Sequence, residues 1–162
     1  MTCLRIVLVC FSFLAMSSAS LAQETRVSFG ALQVDTSLPV EVTADALDVN
    51  QDTGEAIFEG SVLISQGDMR LSAPRVLVVY DADTRAIARM EATGGVTLVS
   101  GPDAAEANRA DYTIDSGVIV MTGNVLLTQG PSALTSDKMT VNLTTGSAQM
   151  VGRVTTILRS GD

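Results

Sequence analysis

Carboxylates are the most abundant titratable groups in this 162-residue chain. Eighteen Asp and Glu stand against ten Lys and Arg, and there is no His. Without His, the Ser-His-Asp and Cys-His catalytic arrangements are unavailable, as are the usual zinc sites. The densest acidic group is Asp45, Asp48, Glu55 and Glu59. Paired carboxylates of this kind can hydrolyse glycosides, but alternation along the chain turns many of them outward, as a solvated face would. Asp81-Ala82-Asp83 lacks the rest of a calcium loop and reads as a turn. Asn142-Leu143-Thr144 fits a glycosylation triplet, which often occurs by chance. A formal charge of −8 and a pI near 4.3 argue against nucleic acid, which needs clustered Lys and Arg. The expectation is a protein with no catalytic residues, no cofactor and no metal.

The elements must therefore carry the function. With 46% apolar and 17% charged residues the chain is not a disordered one, and its length suits one domain. Residues 1–22 read as a secretory signal peptide. Arg5 gives the positive start, Ile6 to Met16 the apolar run, and Ser20-Leu21-Ala22 the small residues before cleavage. The run is shorter than the roughly 20 apolar residues a membrane anchor needs. Cys3 and Cys10 would leave with the leader, so the exported chain could enter an oxidising compartment without disulfides. A periplasmic location follows.

Beyond a 23–38 extension, the segment 39–158 predicts strands and no substantial helix. Val40-Glu41-Val42-Thr43 and the stretch Glu55 to Ile64 alternate with period two, while Val76 to Tyr80 is apolar throughout. Residues 159–162 form a short tail. Glycines fall into register at Gly60, Gly94, Gly123 and Gly152, spaced by 34, 29 and 29 residues; Gly67, Gly101 and Gly130 follow the first three. Upstream, Ala44-Asp45, Ala73-Pro74, Ala110-Asp111 and Ser136-Asp137 occupy comparable places. A period near 30 indicates stacked units that bury a core only together. Glycine inside an apolar strand marks a bulge or bend, so the four recurring glycines should be corners. A dozen or more strands of ordinary length would then fold into a two-sheet jellyroll.

Counting parity from each corner places Val40, Val42, Ala56, Phe58, Val62, Ile64, Val96, Leu98, Met121, Val125, Leu127, Met139, Val141 and Leu143 inside. Such an aliphatic interior is either a dry core or a groove for flexible alkyl chains.

Several motifs in this order resemble the LptA/OstA family of periplasmic lipopolysaccharide-transport bridges. They are Pro39-Val40-Glu41-Val42-Thr43-Ala44-Asp45, Phe58-Glu59-Gly60-Ser61-Val62 through Gly67, Thr122-Gly123-Asn124-Val125 through Gly130, Ser136-Asp137-Lys138-Met139-Thr140, and Arg153-Val154-Thr155-Thr156-Ile157-Leu158. The resemblance implies a twisted, V-shaped β-jellyroll whose interior binds lipid A chains. It also implies head-to-tail stacking between an LptC-like inner-membrane jellyroll and an LptD-like outer-membrane translocon. Val40 and Val42 match the family's lipid-contacting first strand, and Tyr112 and Ile114 a contacting pair on a later one. An LptC-like membrane-anchored component is an alternative within the family. Outside it stands a structural or carbohydrate-binding β-solenoid, although a chain without Trp lacks the usual sugar platforms.

An acyl chain of a dozen carbons gains about 0.8 kcal/mol per buried CH₂. Affinity can therefore come from acyl burial while phosphates stay in water. Arg70, Arg75, Arg85, Arg89 and Arg109 are scattered among carboxylates rather than gathered for phosphate. Open jellyroll ends would expose strand edges for β-augmentation. Val40, Val42, Leu47 and Val49 mark one edge; Val154, Thr156 and Leu158 mark the other. Walls that met with no gap would defeat the idea of a standing groove that carries lipid and leave a mere spacer.

Overall fold

The structure, a computed structural model, describes residues 25–28 and 34–157. The expected leader, the 159–162 tail and Leu158 lie outside the described residues. The strands are β1 (Thr25–Ser28), β2 (Glu41–Thr43), β3 (Ala46–Asn50), β4 (Glu55–Gln66), β5 (Met69–Tyr80), β6 (Ile87–Ser100), β7 (Asp103–Thr113), β8 (Val118–Gln129), β9 (Ser132–Asn142), β10 (Ser147–Val151) and β11 (Thr155–Ile157). There is no helix among the described residues.

All pairings are antiparallel, and they join the strands into a single eleven-stranded sheet. From β4 to β9 it is a simple meander. β2 and β3 pair with successive parts of β4, β10 and β11 with successive parts of β9, and β1 closes on β10.

The two layers expected from the sequence are the two halves of this one sheet. Ladder register shifts at Glu59/Val62, Ser72/Arg75, Thr93/Val96, Glu106/Arg109 and Thr122/Val125, a line of bulges running across every long strand. Along this crease the sheet folds. One wall holds β2, β11 and the strand halves meeting at turns 67–68, 101–102 and 130–131. The other holds β1, β3, β10 and the halves meeting at 51–54, 81–86, 114–117 and 143–146. In place of a dozen short strands, residues 39–157 form six long ones that each cross the crease and serve both walls, with four short ones that serve one wall each.

The recurring glycines make the crease. Gly60-Ser61, Gly94-Gly95, Gly123-Asn124 and Gly152-Arg153 are each two successive residues with positive φ: 76° and 46°, 93° and 97°, 81° and 49°, 82° and 43°. Such a pair swings a strand sharply, and the first residue has no room for a side chain. A Cβ on Gly60, Gly123 or Gly152 would lie 2.5, 2.7 or 2.6 Å from Asp45, Asn108 or Asp137. On Gly94 it would meet Pro74 at 3.0 Å. The backbone N–H groups of Asp45 and Asp137 each donate to the carbonyl of the facing glycine at 2.9 Å. The repeat is therefore a pair of strands, one with a glycine corner and one with Asp, Asn or Pro packed against it.

This geometry corrects one expectation. The third unit's facing pair is Ala107-Asn108, not Ala110-Asp111. Ala110 is buried beyond the crease, and Asp111 pairs outside with Arg109. The extra length of the second unit is shared between its longer 81–86 connection and longer runs of β5 and β6 before Gly94.

Burial follows the crease. β4, β6 and β8 keep one inward parity throughout, whereas on β5, β7 and β9 parity shifts by one at the bulge, from Ala73 to Val76, Ala107 to Ala110 and Ser136 to Met139. Gly123→Ala should cost roughly 3 kcal/mol, combining left-handed strain with the collision at Asn108. Gly130→Ala, with φ 52° and open space around it, should cost about 1 kcal/mol. Urea denaturation of the two variants checks the difference.

Candidate functional site

The inward residues converge. Val62, Ile64, Val96, Leu98, Tyr112, Met121, Val125, Leu127, Met139, Val141 and Leu143 join one cluster with Met69, Val76, Met90, Ile119 and Met150, none more than 2% exposed. A channel wide enough for an alkyl chain would admit water and leave these side chains exposed. In this state the two walls meet, and the interior around these residues is closed. Met supplies four of its largest members (Met69, Met90, Met121 and Met139), and its unbranched side chain can repack around other shapes.

Val40, Val42, Phe58, Ile114 and Val154 are half-buried and pack on the rim of this cluster. Ile114 falls just after β7, in the turn, where its N–H donates to Ala88 O at 3.1 Å.

A polar group that sequence reasoning missed sits inside. Gln66 is 1% exposed, and its Oε1 accepts a hydrogen bond of 2.6 Å from the Tyr112 hydroxyl. The pair joins one wall to the other. Gln66 Nε2 also donates to the backbone carbonyls of Thr36 and Leu38, at 3.1 and 2.9 Å. The sequence held a signal: six residues after Gly60, Gln66 holds an inward place, and Ser100 and Gln129 stand at the same interval from Gly94 and Gly123. Burial pushes the Tyr112 phenol up to about 12.

The 23–38 extension takes part in the fold. It supplies β1, and Val34 is buried with its N–H on Leu143 O at 3.1 Å.

The core is unfinished at its N-terminal end. Leu47 and Val49 occupy the places that Val76 and Val78, Ala110 and Tyr112, and Met139 and Val141 fill in the other units. Those are buried; Leu47 and Val49 are 55% and 56% exposed. A hollow of about 400 Å³ beside Leu47 is lined by Val42, Thr43, Ala44, Asp45, Ala46 and Phe58. At the other end, β11 is exposed throughout and Ile157 is 58% exposed. Thr156 lies in this edge strand, opposite Leu134. Val154 precedes it, turned toward the core.

The charged groups do structural work outside. Arg75 pairs with Glu59, Arg89 with Glu91, Arg109 with Glu91 and Asp111, and Arg153 with Asp137. The hydrogen bonds and charges of Asp111 and Glu91 hold the Arg109 guanidinium well above its ordinary range. Asp45 packs on the Gly60 corner. Asp81 accepts from Thr84 and Asp83 within its own turn, which holds its carboxyl below the usual range. No cluster of three or more metal-ligating side chains occurs among the described residues.

Residues 41–147, well over half of the chain, match the family described as LptA/(LptD N-terminal domain) LPS transport protein. The chain belongs to this family. An uncharacterised protein of Rhizobium meliloti (strain 1021) is 30% identical over 114 residues, covering 66% of this chain and 58% of that protein. This chain therefore spans just over half the relative's length. Among solved structures, LptH of Pseudomonas aeruginosa, described as the LptA-homologous periplasmic component of a lipopolysaccharide transport device, superposes with a TM-score of 0.69. The match covers 78% of this chain and 99% of LptH at 15% identity, and establishes the LptA-like jellyroll fold.

The buried phenol gives a pH test. Its folded pKa lies above the ordinary value of 10, so its stabilising contribution is complete below pH 10. That contribution falls away as pH rises toward 12. Ultraviolet titration should show a tyrosine ionising near pH 12 that is missing in Tyr112→Phe.

Proposed function

We propose that this chain is a lipopolysaccharide-binding bridge in the periplasm, exported by a cleaved leader. It takes lipid A acyl chains between its walls and passes them along a row of stacked jellyrolls. One observation supports this most: an apolar inner face shared by all four units and left uncapped at Leu47 and Val49. Partners of matching shape would be a second copy, an LptC-like inner-membrane protein and an LptD-like translocon.

Strand polarity supports one way for copies to join. Stacked wall on wall, β11 of one copy lies antiparallel beside β2 of the next, while β1 lies parallel beside β3. The chain would be passive and non-catalytic, with movement driven by supply from upstream. Lining residues would be Val40, Val42, Phe58, Val62, Ile64, Val96, Leu98, Tyr112, Ile114, Met121, Val125, Leu127, Met139, Val141 and Leu143.

The closed interior counts against a standing groove, so the carrier reading requires the walls to part; its rival is a structural rod whose core never opens. A photo-crosslinker at Val42 or Tyr112 separates the two in cells: lipopolysaccharide adducts are expected at both positions, and the rod gives none. Stacking is tested by Thr156→Pro, which should abolish head-to-tail oligomers in cross-linking while leaving monomer melting nearly unchanged. Oligomers that persist would remove the β11 edge from the junction.

A further inference from the structure

The walls meet directly through the Tyr112–Gln66 bond, and a short segment lies across the gap between their lips. Residues 34–38 touch both sides. On one wall, the Val34 N–H donates to Leu143 O at 3.1 Å, and Thr36 Cγ2 stands 3.2 Å from where a Cβ on Gly117 would be. On the other, the carbonyls of Thr36 and Leu38 accept from Gln66 Nε2. Leu38 Cδ1 and Val34 Cγ1 lie 3.3 and 3.6 Å from the corresponding point over Gly67. Gly67 and Gly117, lacking side chains, leave the space in which it sits.

The segment holds its own shape. Asp35 Oδ1 accepts from the Ser37 N–H and hydroxyl, and Asp35 O accepts from the Leu38 N–H at 3.1 Å. Its hold on the walls is slighter: three hydrogen bonds and the Val34 side chain, with Leu38 still 42% exposed. The long strands are held along both edges by ladders. Local opening follows the weakest set of contacts.

We propose that residues 34–38 form a releasable strap across the lips of the two walls, clasped by Gln66, and that acyl chains enter where the strap lets go. This rests on the carrier reading above. One buried side chain, Gln66, holds both the strap and the opposite wall, so strap release and wall separation are linked. The apolar lining supplies the attraction, and the strap controls access to it.

Hydrogen exchange and lipopolysaccharide uptake by the purified protein test this together. In the wild type, adding lipopolysaccharide micelles should speed exchange in the peptide spanning 34–38 while the β5–β8 amides stay protected. Gln66→Leu should raise strap exchange without lipid on the order of tenfold and speed lipopolysaccharide uptake similarly. Val34→Pro leaves Gln66 intact, removes the bond to Leu143 and replaces the buried Val34 side chain, and should act in the same direction, which covers a folding defect in the first variant. Lipopolysaccharide that binds while 34–38 remains protected would overturn the strap and leave the carrier reading intact. A strap opened by either variant with no gain in uptake would do the same. If neither the wild type nor the variants take up lipopolysaccharide, the carrier reading falls and the strap's role with it.

Discussion

A sheet with one apolar face must cover it, and this chain does so by folding a single sheet along one line. Everything else depends on that crease. Each corner needs two successive left-handed residues, which cost of order 1–2 kcal/mol apiece when they carry side chains, as Ser61, Asn124 and Arg153 do. Glycine in the first place removes half the strain and lets the neighbouring strand close in. Asp45, Pro74, Asn108 and Asp137 then fill the space a side chain would have taken. Because bulges line up from strand to strand, a corner in one unit fits only beside corners in the next. The repeat is thus a cooperative device rather than a count of similar segments.

The crease also explains which parts were legible in the sequence. Glycine spacing and period-two alternation, both local patterns, gave the corners and a set of fourteen inward side chains of which eleven are buried; Leu71, Ile119 and Leu134, buried beside them, were not singled out. Strand length was misjudged because a bent strand and two short strands look alike when a glycine interrupts the apolar run. The third facing position went to Ala110-Asp111 rather than Ala107-Asn108, since the parity shift on β7 appears only once its neighbours are in place. β1 was missed for a different reason: four residues carry little alternation, and its pairing with β10 spans almost the whole chain. Gln66 was hidden in plain view, a polar residue at an inward place whose partner, Tyr112, lies on the opposite wall.

The acidity of the chain fits the same plan. Inside, Asp103 is the one buried charged residue among the described residues, and its carboxylate accepts from Gln129 Nε2 at 3.1 Å. Outside, Arg109 lies between Glu91 and Asp111, and other arginines pair with neighbouring carboxylates. A surface that spends its cations on its own carboxylates has few left to gather around lipid phosphates. Recognition by acyl burial, which salt barely weakens, is the physical alternative to recognition by charge.

On the carrier reading, the closed interior sets the energetics of transfer. Burying a dozen-carbon chain gains on the order of 9 kcal/mol from water, which alone would hold the lipid too firmly to pass it on. Here the walls already cover each other, so an entering chain replaces contacts between walls with contacts to lipid. Net affinity is the difference between two apolar packings, not the full gain from water. Leaving one copy lets its walls close again, and that recovered contact offsets the opening of the next. An uncapped core at Leu47 and Val49 then matters as much as the lining itself, because only a junction that excludes water lets the lipid cross on this small difference.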